Sequence, residues 1–458
     1  MTAWRKTMKT ADNISASFRD PDGFVFQKDG GLYRQILPHG SKSFHRFLDS
    51  GLAQRLIDQG KLAKFTIEAI NELGTVLHIT RLPYISYPYE WCFSQLRDAA
   101  LLTLELMQEA LANGLILKDA TAFNIAFRKC RPIFLDHTSF ELYQEDAPWR
   151  AYRQFAMHFI APLLLMKKVD LRCLQLFQGN IDGIPLNLAS RLLPWHTWLQ
   201  PNPLLHIHWH ASLEKRISSD KSSRNATHLP KRRLLALLSG MTSWIASMKP
   251  PRQSTEWEHY YNDNSYSDHS FAAKQELVRE FCGRYSIHSC IDLGANSGVF
   301  TKIAAEFAEL IIAADFDAHA VEALYQLGQT QTDEIQPLLL DLNNPSPDLG
   351  VLGVERDSFF KRTSADCVLG LALIHHLRIT GNWSIRQIVA LFDKLAPAAL
   401  VEFIPLDDEQ TQRLTRGREE IYQDWTLDNV RSAFQEKYAH CHVKPLLDSG
   451  RVLLELAR

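Results

Sequence analysis

Residues 290–300 read CIDLGANSGVF, an apolar run that reaches Asp292 and is followed by two glycines with three residues between them. This pattern predicts a strand over 289–293, a turn over 294–298 and a helix that begins directly after the turn. A glycine at such a turn lets the backbone approach a ligand closely because it has no Cβ. The stretch therefore predicts either a site for a nucleotide-like cofactor or a tight strand-to-helix turn that binds nothing.

Further apolar runs follow this stretch, and each ends in a polar or small residue. The second run, IIAADFD, contains Asp315; the third ends with Asp341 and Leu342; the fourth leads into ALIHHL, and the fifth is AALVEFIP. Their alternation with helical stretches predicts a Rossmann-like α/β domain, a doubly wound and mostly parallel sheet. Ligands bind such sheets at the carboxyl ends of the strands. Asp317 is expected to cap the next helix rather than to bind a ligand.

The order of these elements resembles that of class I S-adenosylmethionine-dependent methyltransferases: an acidic strand end with a glycine turn, two further acidic strand ends, then an apolar strand and a helix. The resemblance covers the C-terminal half. Three segments, PLLLDLNNPSPDLG, ALIHHL and EFIPLDDEQTQRLTRGREEIYQDWT, are similar to methyltransferases related to a rhizobial nodulation protein. Leu406 stands where we expect that group to have a lysine, so the resemblance supports no catalytic lysine there.

S-adenosylmethionine is the cofactor that this resemblance implies. Asp315 is implied to hold its ribose, and Asp341, with Leu342 beside it, its adenine. The residues implied to surround its methionine part are Asp292, Gly294, Ala295, Asn296 and Gly298.

Methyl transfer is an in-line displacement, so alignment in a shielded site supplies much of the rate. A hydroxyl acceptor also needs a base. His375 and His376 follow the fourth predicted strand, and either is a candidate because a histidine titrates near neutrality. Alternatively, one of them caps the next helix or packs beneath it. Glu402, at the end of the fifth strand, is a candidate for orienting the acceptor or a histidine. We expect the acceptor to be a hydroxyl of a small molecule or saccharide.

Asp119, Asn124 and Asp136 lie within ILKDATAFNIAFRKCRPIFLDHTSFE (116–141), where a predicted strand pair separates the second from the third. This spacing is similar to that of kinase-like phosphotransferases, so the N-terminal half resembles an α+β kinase-like fold. The resemblance implies that Asp119 orients a hydroxyl and that Asn124 and Asp136 hold magnesium with ATP. No glycine-rich phosphate loop and no convincing lysine–glutamate pair is evident, which favours an inactive accessory domain. Alternatively, the three residues only cap turns.

The composition divides the chain into three segments. Residues 1–205 form the predicted kinase-like domain, 206–256 a polar linker with a connecting helix, and 257–458 the predicted methyltransferase domain. HIHWH at 206–210 is expected to be a strand or linker rather than a metal site, because Glu or Cys partners at fixed spacing are absent. The aromatic run WEHYYNDNSYSDHSF (257–271) is either a lid over the site or an interdomain loop.

A formal net charge of −2 gives no overall reason to expect a nucleic-acid partner. The seven cysteines form no CxxC pair, and the N-terminal sequence lacks the apolar core of a signal peptide. We therefore expect reduced thiols, no metal site and a cytoplasmic protein. No run of about 18 uninterrupted apolar residues predicts a membrane span. The oligomeric state is open.

Three functions remain open on the sequence. The leading hypothesis is an S-adenosylmethionine-dependent methyltransferase whose N-terminal domain recognises or positions the acceptor. The second is a bifunctional kinase–methyltransferase of glycan biosynthesis. The third is a non-catalytic binding or scaffold protein with a degenerate cofactor pocket.

Overall fold

The computed structural model describes residues 12–14, 17–212, 228–251, 268–285, 287–330, 334–446 and 449–458. They form two compact units. The N-terminal unit contains the described residues of Met1–Tyr89, Phe93–Pro251 and Asp348–Asp357, and the C-terminal unit those of Glu90–Cys92, Arg252–Pro347 and Ser358–Arg458. Every helix that the structure describes is too short or too polar to cross a membrane. Most of the aromatic run predicted at 257–271 lies outside the described residues.

The N-terminal unit contains a five-stranded antiparallel sheet with the order β1-β2-β3-β5-β4. Its strands are β1 Asp12–Asn13, β2 Gly23–Lys28, β3 Gly31–Ile36, β4 Phe65–Asn71 and β5 Gly74–Ile79. The β2–β3 hairpin turns at Asp29 and Gly30, which have φ angles of 49° and 78°. Positive φ at both positions is typical of a type I′ turn, whose twist suits a two-residue hairpin loop.

Helices make up much of the rest of the N-terminal unit. They are α1 Pro38–Asp49, α2 Leu52–Asp58, α3 Phe93–Ala112, α4 Tyr152–Phe155, α5 Ala161–Lys168, α6 Leu186–Leu192, α7 Pro201–Pro203 and α8 Lys231–Ala246. Two small antiparallel sheets pair β6 Leu115–Leu117 with β9 Phe140–Leu142, and β7 Ile125–Arg128 with β8 Arg131–Phe134. Gly114 follows helix α3 with φ 74°, a conformation that commonly terminates a helix.

The prediction of a strand or linker at 206–210 is wrong. Leu204–Trp209 forms a π-helical turn directly after α7. His206 and His208 are buried there, His206 stacked on Trp244 and His208 on Trp198. These histidines therefore pack against aromatic rings. Other short stretches of 3₁₀ or π helix are Pro88–Glu90, Ala122–Asn124, Ala156–Ile160, Leu171–Phe177, Trp195–Leu199, Val351–Gly353 and Glu419–Tyr422.

A seven-stranded sheet with the order β12-β11-β10-β13-β14-β16-β15 forms the centre of the C-terminal unit. Its strands are β10 Ser289–Leu293, β11 Leu310–Asp315, β12 Glu334–Leu339, β13 Cys367–Gly370, β14 Ala398–Phe403, β15 His440–Pro445 and β16 Val452–Ala457. The first five strands are parallel to one another, and β16 runs antiparallel to its two neighbours, β14 and β15. The predicted α/β class is confirmed for this unit. The kinase-like fold of the N-terminal unit stays a prediction.

Helices accompany this sheet along the chain. They are α9 Asp268–Arg284, α10 Val299–Ala305, α11 Ala318–Thr330, α12 Phe359–Arg362, α13 Ile374–Ile379, α14 Ile385–Leu395, α15 Glu409–Thr415 and α16 Leu427–Gln435. Strands β10, β11 and β13 are almost wholly buried, as expected for parallel strands covered on both faces. From β10 the chain adds β11 and β12 on one side and then returns to β13 on the other. This reversal leaves a crevice at the carboxyl ends of β10 and β13.

Candidate active site

A cavity of about 370 Å³ lies at the carboxyl ends of the parallel strands in the C-terminal unit. It is located where the strand order reverses between β10 and β13. Its volume falls within the roughly 300–1,000 Å³ typical of cofactor and small-molecule sites. Polar side chains from the strand ends and from two helices converge on it: Lys274, Asp292, Asn296, Asp315, Asp341, Asn343, His376 and Thr380.

The turn after β10 has left-handed backbone at three positions. Gly294, Asn296 and Gly298 have φ angles of 72°, 47° and 84°. The N–H groups of Gly294 and Ala295 both donate to the carbonyl of Ala314, at 2.9 and 3.1 Å, and so connect the turn to the end of β11. Gly294 lines the cavity. The turn predicted over 294–298 is therefore confirmed, and its first glycine brings bare backbone to the cavity.

Two buried carboxylates flank this turn. Asp292 accepts a 2.6 Å hydrogen bond from the hydroxyl of Thr301, and Asp315 accepts 2.8 Å bonds from the N–H groups of Asn296 and Asp317. Burial raises the pKa of Asp292 and of Asp315 to about 6. A buried carboxylate is stabilised by a positive charge or a hydrogen-bond donor. The pair therefore favours a ligand that brings one of these into the cavity.

The third acidic residue, Asp341, has an exposed side chain. Its Oδ1 accepts the N–H of Asn343 at 2.8 Å. Leu342 beside it is buried, and both line the cavity together with Leu340 and Phe316. A carboxylate next to an apolar wall suits a flat aromatic base with an amino group, since the wall contacts the ring and the oxygen accepts from the amine.

Lys274, which lines the cavity, belongs to a buried ion pair. Lys274 donates to Oε2 of Glu402 at 2.6 Å, and the two side chains are 2% and 0% exposed. The same oxygen accepts the N–H of Ala372, at 2.8 Å, in the loop after β13. Lys274 Nζ also lies 4.8 Å from the centre of the Phe300 ring. Glu402 thus contacts Lys274 and this loop; its action on an acceptor or a histidine stays a prediction.

The two adjacent histidines have different surroundings. His376 lines the cavity. His375 is 1% exposed, and within the described part of the chain neither of its ring nitrogens has a hydrogen-bond partner. Burial lowers the pKa of both rings, to about 4 for His376. Both are therefore neutral at pH 7, and of the two only His376 lines the described cavity.

These residues fit the chemical groups of S-adenosylmethionine. The cofactor carries a cationic sulfonium and ammonium, a ribose diol, a carboxylate and an adenine. Asp292 and Asp315 suit the cations and the diol, and Asp341 with Leu342 suits the adenine. Lys274 is the single Lys or Arg in the described cavity wall. The set thus provides a complementary group for each part of the cofactor.

The sequence prediction identified part of this wall. Of the predicted residues, the cavity lining includes Asp292, Gly294, Asn296, Asp315, Asp341, Leu342 and His376. Outside that lining are Ala295, Gly298, His375 and Glu402. Lys274, Phe300 and Phe316 line the cavity and were missed. Phe316 lies between two singled-out aspartates and was within reach of the same reasoning, whereas nothing in helix α9 distinguishes Lys274 from the other charged residues of that helix.

The residues that carry the kinase resemblance lie close together in the N-terminal unit. Asp119 follows β6, Asn124 ends a 3₁₀ turn, and Asp136 follows β8. The N–H of Leu135 donates to the Asn124 carbonyl at 2.8 Å. Burial, together with the charge of Asp136, raises the pKa of Asp119 to about 6. The first and third residues of the motif are therefore near enough to interact electrostatically.

Protein groups already neutralise Asp136. Arg34 Nη1 lies 2.5 Å from its Oδ1, and Thr138 donates to the same oxygen through its hydroxyl at 2.6 Å and its N–H at 3.0 Å. Asp20 joins this network through Thr138, whose hydroxyl is 2.6 Å away. Burial opposes ionisation, yet these contacts lower the pKa of Asp136. Among the described residues no cluster of metal-ligand type occurs. Magnesium and ATP binding here stays a prediction.

Comparisons with known proteins give one strong relative. Nodulation protein NoeA of Rhizobium meliloti (strain 1021) is 35% identical over 439 residues, which covers 93% of this chain and 91% of the relative. No protein-family model matches. The N-methyltransferase NodS of Bradyrhizobium japonicum WM9 aligns with 42% of this chain and 99% of its own, at 12% identity and a TM-score of 0.30. Magnesium protoporphyrin IX methyltransferase (ChlM) of Synechocystis PCC 6803, with bound S-adenosylhomocysteine, aligns with 44% and 92%, at 15% identity and a TM-score of 0.30.

Proposed function

We propose, from the premise that this chain belongs to the family of the nodulation protein NoeA, that it is an S-adenosylmethionine-dependent methyltransferase acting on a hydroxyl of a small molecule or saccharide. One observation carries this proposal: the aspartates at the ends of three successive strands, Asp292, Asp315 and Asp341, meet with the bare backbone of Gly294 at one cavity. The relative is named as a nodulation protein, and we propose that this chain also acts in nodulation.

The cofactor, when bound, supplies a methyl group on a positively charged sulfur. Asp292 and Asp315 supply negative charge at the glycine turn, where it favours the cationic form over neutral analogues. Lys274 complements the carboxylate end of the ligand. The apolar wall of Leu340, Leu342 and Phe316 excludes water from the ring-binding part of the cavity.

His376 is the proposed acceptor of the hydroxyl proton. It lines the cavity, and burial keeps its pKa at about 4, so the ring is neutral with a nitrogen lone pair across the physiological range. Such a weak base acts on a hydroxyl as the new bond forms, when the departing proton has become more acidic. His375 is proposed to support the helix beneath the cavity, since its ring is buried and absent from the described lining.

Glu402 is proposed to position Lys274 and the loop after β13 rather than to take part in the reaction. It accepts hydrogen bonds from Lys274 and from the Ala372 N–H, and so connects helix α9 with the loop that precedes His376. The buried pair keeps a single cation in the cavity wall at a defined place. Because both charges are buried, loss of either disturbs the wall rather than one contact.

Isothermal titration of the full-length chain with S-adenosylmethionine tests the cofactor assignment. The Asp341→Ala variant should bind roughly tenfold more weakly, the equivalent of one charge-assisted hydrogen bond. Asp341 has an exposed side chain, so this change leaves the core intact. Asp428→Ala is the matched control, an exposed aspartate outside the described cavity lining. Wild-type protein that shows no binding, or equal affinity of the two variants, would overturn the assignment.

The acceptor class is tested by the formation of S-adenosylhomocysteine with pools of free saccharides and hydroxyl-bearing small molecules. Matched amines serve as the comparison. Turnover with hydroxyl compounds that is lost in His376→Ala, while cofactor affinity is retained, supports the proposal. Turnover restricted to amines contradicts the hydroxyl assignment and leaves the cofactor assignment standing.

A further inference from the structure

A tryptophan–leucine surface lies on the N-terminal unit between Leu192 and Trp209. Its large apolar side chains, all more than a third exposed, are Leu192, Trp195, Trp198, Leu199, Leu204, Leu205 and Trp209. Trp195 and Leu199 are each 75% exposed. Elsewhere in the described chain, no stretch of this length exposes as many large apolar side chains. Scattered apolar residues need no explanation, but a dense group of this kind marks an interaction site.

The three elements that carry this surface are joined at one buried histidine. The ring of His208, in the π turn Leu204–Trp209, stacks on Trp198 with centroids 4.2 Å apart and an interplanar angle of 13°. Its Nδ1 lies 2.8 Å from the hydroxyl of Ser190 on α6, and its Nε2 lies 2.8 Å from that of Thr197 in the turn Trp195–Leu199. The exposed side chains therefore stand on a fixed platform and belong to one surface.

The segment that carries this surface is basic. Between Gly183 and Ser212 the sequence contains no aspartate or glutamate, and the exposed Arg191 stands next to Leu192. Helix α8 packs on the π turn through Trp244, whose ring stacks on His206 at 5.4 Å.

We infer that the tryptophan–leucine surface binds the interfacial region of a lipid bilayer that carries anionic headgroups. Tryptophan prefers the interfacial region because its ring is apolar and its N–H donates to headgroups. Leucine enters the boundary between the headgroups and the acyl chains. Arg191 then contacts the headgroup phosphates. A second copy of the chain is a poorer occupant, because a self-complementary contact would oppose Arg191 to a surface without acidic residues.

Flotation of the full-length chain with vesicles tests this inference. We expect binding to phosphatidylcholine vesicles that contain 30% (about one lipid in three) phosphatidylglycerol, and at least tenfold weaker binding to pure phosphatidylcholine. Trp195→Ser/Leu199→Ser should reduce binding to the anionic vesicles by at least about tenfold. Ile70→Ser/Leu73→Ser is the matched control, because it removes two exposed apolar side chains elsewhere on the same unit and should change little.

Two further measurements complete the test. Arg191→Glu should weaken binding to anionic vesicles and reduce its sensitivity to salt, because fewer charges are screened. Thermal melting and cofactor titration of each variant identify any that fails to fold. Absence of wild-type binding to anionic vesicles would overturn the inference, as would equal binding of the two serine variants. Self-association that Trp195→Ser/Leu199→Ser abolishes, without vesicle binding, would assign the surface to a second copy instead.

Discussion

Replacing Asp292 with asparagine should stabilise the protein and weaken cofactor binding at the same time. Asparagine keeps the side-chain size and an oxygen that accepts the Thr301 hydroxyl, but removes the ionisable group. Burial raises the pKa of Asp292 from 3.8 to about 6, so the folded chain binds this proton more tightly than the unfolded chain. Above pH 6 the carboxylate is ionised in both states, and its burial then lowers the free energy of unfolding.

The size of the effect follows from that pKa. The rise of the pKa from 3.8 to about 6 lowers the free energy of unfolding by about 3 kcal/mol at pH 7.5. The cost decreases on acidification because the folded protein is protonated first. It is about 1.6 kcal/mol at pH 5 and approaches zero well below the unfolded pKa. At pH 7.5 a gain of this size raises the melting temperature of a unit of 150–250 residues by roughly 6–12 °C.

Urea unfolding of the full-length chain at pH 5 and pH 7.5 measures this difference, and titration with S-adenosylhomocysteine measures affinity. Asp366→Asn is the control with the opposite sign. Asp366 accepts N–H bonds from His288 and Ser289, which outweigh burial and lower its pKa, so the variant should lose stability at pH 7.5. An Asp292→Asn variant that is less stable than wild type at pH 7.5, or whose advantage is the same at both pH values, would refute this reasoning.

Three further predictions concern the same unit. Lys274→Met should destabilise the protein by about 3–5 kcal/mol in urea unfolding, because the buried carboxylate of Glu402 loses the charge beside it; Lys274→Met/Glu402→Leu should recover part of that loss. The affinity for S-adenosylmethionine should fall as the pH drops through about 6, where Asp292 and Asp315 take up protons, and titration should show a smaller fall for S-adenosylhomocysteine, which lacks the sulfonium charge. His376→Ala should lower kcat by about 10²–10⁴-fold, and the wild-type rate at saturating cofactor should stay level from pH 8 to pH 5 because this ring titrates near 4.

The strand–turn–helix unit at 289–305 was predictable because its signals are local. Apolar residues mark the buried strand, glycine marks the positive φ of Gly294, and the apolar spacing marks the helix. The positions of Asp315 and Asp341 followed from a rule of topology rather than from contacts. In a parallel sheet every strand ends at the same edge, so residues at strand ends converge even though the chain separates them.

The surroundings of each side chain were not predictable in this way. His375 and His376 are neighbours in sequence, yet only the packing of α13 against the sheet decides which ring faces the cavity. The pairing of Lys274 with Glu402 joins residues 128 positions apart, and that of Arg34 with Asp136 joins residues 102 apart. Nothing local distinguishes these charged residues from those on exposed faces.

The amino-acid order by itself determined the α/β class of the C-terminal unit, the bounds of its first strand and the aspartates at its ligand-binding edge, because periodicity and turn chemistry act over a few residues. The tertiary structure alone decided the ion pair of Lys274 with Glu402, the neutral histidine that faces the cavity, the network around Asp136 and the helical form of 206–210. Burial and charge pairing arise between distant segments, and their free energies exist only after those segments have come together.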